Sequence, residues 1–215
     1  DKMCPILSMT SNETYGDICI PTWDDWSRVR SMDDGKFFIK GLRDYRMPNV
    51  EHEWVNKINE FMFRGGSTGM GTTIDDNMRL KLCNIGVTSK YNMNVGITKW
   101  NLRPRIKMRG GKLEMSTIRV EDLKFGLVES LTPCQQSKYK FIINVEGHCS
   151  AYRLSLELSF KSVILLVESK YKIWYTCDTK IFKPWIHYVP VCADLSDLDE
   201  MMEWCLQNDD KCREI

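Results

Sequence analysis

The sequence predicts an α/β domain built on a doubly wound, largely parallel sheet, and three observations carry that prediction. First, an apolar strand runs into glycine and arginine ahead of a helix in FMFRGGSTGMGTT, residues 61–73, and again in YKFIINVEGHCSAYR, residues 139–153. Second, Val163 to Val167 form an unbroken apolar run of strand length, as expected of a strand covered on both faces. Third, the last third of the chain reads strand, helix, strand, then strand, helix. In such folds ligands bind outside the carboxyl ends of the strands, and both glycine turns fall there.

Residues 1–50 are irregular, with turn signals at Pro21 and Gly35 and aromatic residues at Trp23 and Trp26. A short helix is expected from Thr22, which can cap it while Asp24 and Asp25 occupy its first turn. Ile58 to Phe63 then reads as a strand, the glycine loop follows, and Asp75 to Cys83 reads as a helix. Asn94 to Trp100 fits a strand. Residues 101–120 show no period, contain Gly110-Gly111, and hold the basic cluster Arg103, Arg105, Lys107, Arg109 and Lys112. A solvated loop is the leading reading of that cluster; binding of an acidic acceptor or nucleic acid trails it. Further strands are expected at Tyr139 to Val145, Ser162 to Val167 and Ile186 to Val191, with a helix at Ser150 to Phe160 between the first two. A closing helix, Ser196 to Asn208, places Leu198, Met201, Met202 and Cys205 on one face.

Composition bounds the function. At 215 residues the chain can bury about 70% of its unfolded surface, so a core needs no metal or disulfide. Thirty basic residues against 29 acidic give a charge of +1, which argues against a general nucleic-acid binder. No apolar run approaches the roughly 20 residues of a membrane span. The nine cysteines include no CxxC pair, and only His52, His148 and His187 accompany them, so a zinc site is not expected. Mostly reduced, buried thiols are expected, with Cys83, Cys149 and Cys205 inside apolar helical patterns; one or two disulfides stay open. The sequence opens at Asp1 without a methionine or leader and closes directly on a predicted helix. A processed form or a piece of a larger protein is therefore expected, and the compartment is not legible.

The two turns carry the chemistry. A strand that opens through glycines into a helix aims unpaired backbone N–H groups and the positive end of the helix dipole at one place, which suits a phosphate. Arg64 and Arg153 add full charge and forked donors. A cation in a first helical turn opposes the dipole unless an anion compensates it, which marks Arg153. His148 reads as a wall of the site rather than a catalyst. Glu146 and Glu157 are the nearby carboxylates, either binding ribose hydroxyls or making ion pairs. Trp185, His187 and Tyr188 either line the cleft or form an aromatic core. Asp197-Leu198-Asp199 has the form of a DxD metal motif, but with Asp194 these acids read better as helix N-terminal caps.

FRGGSTG, SKYKFIINVEGHCSAYRLSLEL and FKPWIHYVPVCADLSDLDEMMEWCLQNDD together resemble glycosyltransferase family 90, which includes protein O-glucosyltransferases, capsule xylosyltransferases and lipopolysaccharide-modifying enzymes. PILSM, DICIPTWDDW, FRGGSTGMGTT and NLRPR, in this order, are similar to versions carried by large DNA viruses. The resemblance covers nearly the whole chain. It implies a GT-B architecture, with a Rossmann-like doubly wound donor domain at 51–215, truncated at its C-terminus. Residues 1–50 would be the end of an otherwise missing acceptor-side domain and a linker. It implies inverting, metal-independent transfer of glucose or xylose from a UDP-sugar to a protein, glycan or lipid-linked acceptor. The donor residues are then Arg64, Gly65, Ser67 and Thr68 from the first motif and Gly147, His148, Ser150, Ala151 and Arg153 from the second, with Glu157, Trp185 and His187 as further candidates. The family usually has serine where Gly66 stands and often lysine where Cys192 stands. Its catalytic aspartate lies upstream of the segment matching Pro5 to Met9, so the base is expected outside this chain. The implied compartment is the secretory lumen for a cellular type and host cytoplasm or lumen for a viral one. The rival reading is a non-catalytic α/β module that binds a nucleotide or phosphorylated ligand.

Overall fold

A computed structural model describes residues 6–23, 25, 52–109, 111–116, 118–177 and 180–215, with backbone alone for 105–109 and 112–116. Expectations for Asp24, Trp26, Gly35 and Gly110 lie outside these residues, as do the side chains of Arg105, Lys107, Arg109 and Lys112. Two short strands, β1 (Leu7–Ser8) and β2 (Ile18–Cys19), pair in parallel near the start. The main body follows: β3 (Ile58–Gly66), α1 (Met78–Thr88), β4 (Met93–Lys99), the hairpin β5 (Arg105–Arg109) and β6 (Lys112–Ser116), α2 (Pro133–Gln136), β7 (Tyr139–Asn144), α3 (Leu154–Glu157), β8 (Val163–Val167), β9 (Val189–Val191), α4 (Leu198–Gln207) and α5 (Asp209–Glu214).

The central sheet is five-stranded and fully parallel, in the order β4-β3-β7-β8-β9. Numbered within the sheet this is 2-1-3-4-5, the flavodoxin-like doubly wound order. The winding reverses between β3 and β7: the chain leaves β3 toward β4 on one side and leaves β7 toward β8 on the other. A crevice must open at the carboxyl ends of those two strands, and both glycine turns grow from them.

Strand alternation splits the core into two layers, one on each face. Phe61, Phe63, Phe141, Ile143, Val163, Leu165 and Val189 pack with Leu80 and Cys83 of α1 and Leu198, Met202 and Cys205 of α4. Met62, Ile142 and Ile164 point the other way, onto Leu154, Leu156 and Phe160. Phe61 and Phe141 stack across neighbouring strands at 4.7 Å between centroids, a pairing worth about 1 kcal/mol beyond the area it buries. Burial on both faces explains the continuous apolar run of β8. Pro190 sits in β9, an edge strand of three residues, where a missing N–H is tolerated.

Four expectations need correction. The helix expected from Ser150 to Phe160 is only α3 followed by a 3₁₀ turn, Leu158–Phe160, and it stops at Lys161 with φ 53°. Residues 147–153 instead run through bends and a turn, with Gly147 close against Thr68 of the first loop. Cys149 therefore lies in a loop, not a helix. The unpatterned stretch after residue 101 contains an antiparallel hairpin, with Lys107 opposite Glu114 and Gly111 left-handed at φ 79°. Finally, of the eight described cysteines, all free thiols, only Cys83, Cys205 and Cys212 are buried.

Thr22 does cap as expected: its Oγ1 accepts from Asp25 N at 3.2 Å while Asp25 Oδ2 accepts from Thr22 N at 3.0 Å. Asp25 also accepts from Ser155 Oγ at 2.7 Å and Trp174 Nε1 at 3.0 Å, docking the first segment onto the sheet domain. Burial pushes its carboxyl up, but these hydrogen bonds outweigh burial and leave it below the usual range.

Candidate functional site at the sheet switch point

The first turn is organised by one amide. Asn77 Oδ1 accepts the N–H groups of Arg79 (3.1 Å) and Leu80 (3.2 Å), capping α1. Its Nδ2 donates to Ser67 O at 3.1 Å and Gly71 O at 3.4 Å, pinning the loop to the helix. Two of the donors expected to be free at this helix start, those of Arg79 and Leu80, are therefore already used. Only glycine fits at position 71, where a Cβ would lie 2.2 Å from the backbone of Asp76. Ser67 is fully buried; its hydroxyl accepts from Asn101 N at 2.8 Å and lies 3.3 Å from Asn101 Oδ1. At Gly66 a Cβ would meet Asn101 Oδ1 at 2.8 Å, so Asn101 occupies the room that a serine there would need.

Arg79, the second residue of α1, ties the two turns together. It is 8% exposed, and its guanidinium donates to Gly66 O (3.1 Å) and Thr68 Oγ1 (2.7 Å) of the first turn. It also donates to Glu146 O (2.8 Å) and Val145 O (3.0 Å) of the second. Burial, and then the neighbouring Arg153, push its pKa down, but a guanidinium stays charged across the physiological range. Gly147 lets the second turn approach, since a Cβ would lie 3.0 Å from Thr68 Oγ1 and 3.4 Å from Arg79 Nη2. His148 Nδ1 lies 3.1 Å from Gly69 O. A carbonyl only accepts, so Nδ1 carries the proton and Nε2 of the neutral ring is left as an acceptor.

The two expected arginines differ. Arg64 turns along the sheet: Nη1 donates to Asn94 O at 2.6 Å and Phe63 O at 3.0 Å, and Nη2 donates to Asn94 Oδ1. Asn94 is held in turn by Tyr139, its Nδ2 donating to Tyr139 Oη at 2.7 Å. Arg153 lies over the Phe63 ring, 5.1 Å from its centroid, and Nη1 donates to Arg64 O. Its Nε stands 2.8 Å from Glu157 Oε1, an ion pair without hydrogen-bond alignment. Nη2 of Arg153 has no hydrogen bond among the described residues, and 28% of the side chain is exposed. Gly65 lies between the arginines; a Cβ there would be 3.3 Å from Arg79 Nη1 and 3.4 Å from Arg153 Nη1. Glu157 is buried, its Oε2 accepting from Asn144 Nδ2 at 2.5 Å, and burial pushes its carboxyl up despite Arg153. Arg153 sits at the N-cap of a four-residue helix, so its own cation, not a helix dipole, supplies the field here.

Beside the second turn, at the carboxyl ends of β7 and β8, is a cavity of about 380 Å³ lined by Asn144, Glu146, Ser150, Ala151, Ser169 and Tyr188, among others. The Ser150 hydroxyl is buried without a partner among the described residues. Glu146 accepts from Ser169 Oγ, and burial pushes its carboxyl up. Trp185, left-handed at φ 63°, lines this cavity and packs edge-on against Trp204 at 4.7 Å. His187 is not brought here. It lines a larger cavity, about 720 Å³, at the amino edge of the sheet, and its Nδ1 accepts from Lys183 N at 3.0 Å. That larger cavity lies away from both turns. Asp197 precedes α4, but its carboxylate turns back to Cys192 N at 2.8 Å instead of capping the helix.

The glycosyl transferase family 90 model matches residues 1–215, the whole length of this sequence. The chain belongs to glycosyl transferase family 90. It is 47% identical over 214 residues to uncharacterized protein 035R of Invertebrate iridescent virus 3, which covers 99% of this chain and 19% of that protein. It is 44% identical over 250 residues to uncharacterized protein 179R of Invertebrate iridescent virus 6, at 100% and 21% coverage. It is 26% identical over 215 residues to protein O-glucosyltransferase 3 of Homo sapiens, at 98% and 36% coverage. The chain thus spans about a fifth of the viral relatives it matches and about a third of that O-glucosyltransferase. Within this family 90 chain the residue missed from sequence is Arg79. The expected helix start at Asp75 placed Arg79 beyond the first turn; only the observed start at Met78 makes it a second-position cation against the dipole, the anomaly that marked Arg153.

Proposed function

We propose that this family 90 chain is the UDP-sugar-binding part of an inverting, metal-independent glycosyltransferase. The transferred sugar is glucose or xylose and the acceptor is a hydroxyl of a protein, glycan or lipid-linked sugar. One observation carries the reading. At the switch point the unpaired Nη2 of Arg153 and the unpartnered Ser150 hydroxyl stand beside two fused glycine turns and a cavity within the usual ligand-site range. In this reading the diphosphate lies against the turns and the nucleoside occupies the cavity. Arg153 neutralises the charge that grows on the leaving diphosphate, while the Thr68 hydroxyl, which accepts from Arg79, has its own proton free to donate. Arg64 acts indirectly, because its head is engaged with Asn94 and its carbonyl orients Arg153. An aspartate outside this chain deprotonates the acceptor hydroxyl for in-line attack on the anomeric carbon. The O-glucosyltransferase relatives support glucose as the first donor to try.

Calorimetry with UDP, UDP-glucose and GDP tests the reading. UDP-selective binding is expected, and Arg153→Ala should weaken it by roughly 10- to 100-fold, the loss of one charged hydrogen bond. Arg64→Ala should weaken it less, because it keeps the carbonyl that holds Arg153 and loses only the side-chain anchor to Asn94. A folded chain that binds UDP, GDP and inorganic phosphate equally would favour the non-catalytic phospho-ligand module instead.

A further inference from the structure

The 380 Å³ cavity has one polar corner among apolar and aromatic walls, and that corner is built around Glu146. Glu146 follows β7 and stands immediately before Gly147 of the second turn. Its main-chain carbonyl accepts from Arg79 Nε at 2.8 Å, which fixes the backbone against the first turn. That tie does not involve the carboxylate, which is fixed separately. Ser169 Oγ accepts from Tyr171 N at 2.9 Å, so its single proton is left to donate to Glu146 Oε2. Oε1 has no hydrogen bond among the described residues, and none of the ion pairs among them includes Glu146. Burial, which Ser169 only partly offsets, pushes this carboxyl up. The Ser150 hydroxyl, on the same cavity, is buried without a partner among the described residues. The corner thus holds a positioned carboxylate oxygen and a hydroxyl, both unengaged.

We propose that Glu146 reads the 2′,3′-diol of a ribose, so that the cavity selects ribonucleoside over deoxyribonucleoside diphosphates, an inference that rests on the nucleotide reading of the site given above. Position decides between the sugar and the base. With the diphosphate against the glycine turns, the ribose is the group joined directly to it, and Glu146 adjoins the glycine of the second turn. The base lies further along, where Phe182, Trp185 and Tyr188 offer flat apolar surface. The chemistry agrees. An ionised carboxylate only accepts, and a vicinal diol presents two O–H donors. The pairing edge of uracil instead flanks its one N–H with carbonyl oxygens, which a carboxylate repels. Ser150 donates to the oxygen of a ribose hydroxyl whose own proton goes to Glu146. A site built to bond a hydroxyl rejects the analogue that lacks it, because a buried acceptor is then left unpaired.

Calorimetry of the full chain with UDP, 2′-deoxy-UDP and 3′-deoxy-UDP tests this on the native protein, Glu146→Gln and Glu146→Ala. The native chain should bind at least one deoxy analogue roughly 10- to 100-fold more weakly than UDP, the loss of a hydrogen bond to a charged group. In Glu146→Ala the affinity for UDP should fall to that of the deoxy analogue, which itself changes little, and Glu146→Gln should lie between. Melting curves check that the variants fold, and the native comparison needs no variant. A native chain that binds UDP and both deoxy analogues equally overturns the ribose assignment and leaves the nucleotide reading standing. Full discrimination retained by both variants overturns it too, because another group then reads the diol. No UDP binding by the folded chain overturns this inference together with the reading beneath it.

Discussion

Replacing Arg79 by methionine separates stability from ligand binding at this site. The substitution keeps much of the buried stem but removes all four donated hydrogen bonds. Three of the acceptors are main-chain carbonyls, of Gly66, Val145 and Glu146, in a place where Arg79 itself is only 8% exposed. A buried polar group left without a partner costs about 1–3 kcal/mol. The lower end applies to each carbonyl, because the turns lie at an open crevice and water can re-enter. The Thr68 hydroxyl can rotate to another partner. Against this loss stands relief of the burial that already pushes the Arg79 pKa down. A net destabilisation of about 2–3 kcal/mol follows, and for a chain of this size that lowers the melting temperature by roughly 4–12 °C. Thermal and urea melts of the native chain, Arg79→Met and Arg153→Met measure it. Arg153→Met serves as the comparison, because it removes a partly exposed cation that bonds a single carbonyl and pairs with the buried Glu157. If Arg79→Met melts within 1 °C of the native chain while losing only nucleotide affinity, Arg79 is a ligand residue and the fastening of the two turns by its side chain is wrong.

Two further outcomes are expected. Gly71→Ala should destabilise by about 3 kcal/mol or more, because its Cβ would lie 2.2 Å from main-chain atoms that cannot step aside; Gly126→Ala, with nothing within 4 Å, should change stability by less than about 1 kcal/mol. Paired urea melts decide the point. Glu157→Gln should change how stability depends on pH. The folded carboxyl titrates above its ordinary 4.5, so the folded state holds more protons there, and this group's contribution declines as pH rises from about 4.5 through the raised value. Removing it should therefore tilt the stability-versus-pH curve upward over that window, and an unchanged curve would show that Glu157 titrates normally.

The sheet was legible because its signals are local. Apolar runs marked β3, β7 and β8 to within a few residues, and the glycine turns marked the carboxyl ends of the first two. The helix after the first turn was expected too early, for a visible reason. Thr73 and Asp76 exchange cap-type bonds, Thr73 N to Asp76 Oδ1 at 2.6 Å and Asp76 N to Thr73 Oγ1 at 3.3 Å, yet they close only a turn, and the helix waits for Asn77. The hairpin after Arg103 carries its own signature, Ile106 and Met108 before Gly110-Gly111 and Leu113 and Met115 after, a period of two around a turn pair that the charged residues obscured. Arg79 was invisible to motif reasoning because its partners are main-chain atoms from two distant loops. The same limit separates Arg64 from Arg153: both follow the same local pattern, and only the fold sends one along the sheet to Asn94 and leaves the other facing the crevice.

The spacing of the two turns is fixed by a side chain, not by the length of chain that joins them. Between Lys99 and Tyr139 the backbone leaves the central sheet, makes the β5–β6 hairpin and returns. Arg79 meanwhile holds Gly66 and Thr68 against Val145 and Glu146 from the helix that follows the first turn. The hairpin between Asn101 and Ile118, which bond Ser67 and Thr72 of the first turn, can lengthen, shorten or acquire new surface chemistry without shifting the donors at the crevice. The surface of the hairpin can therefore diversify while the two glycine turns keep their spacing.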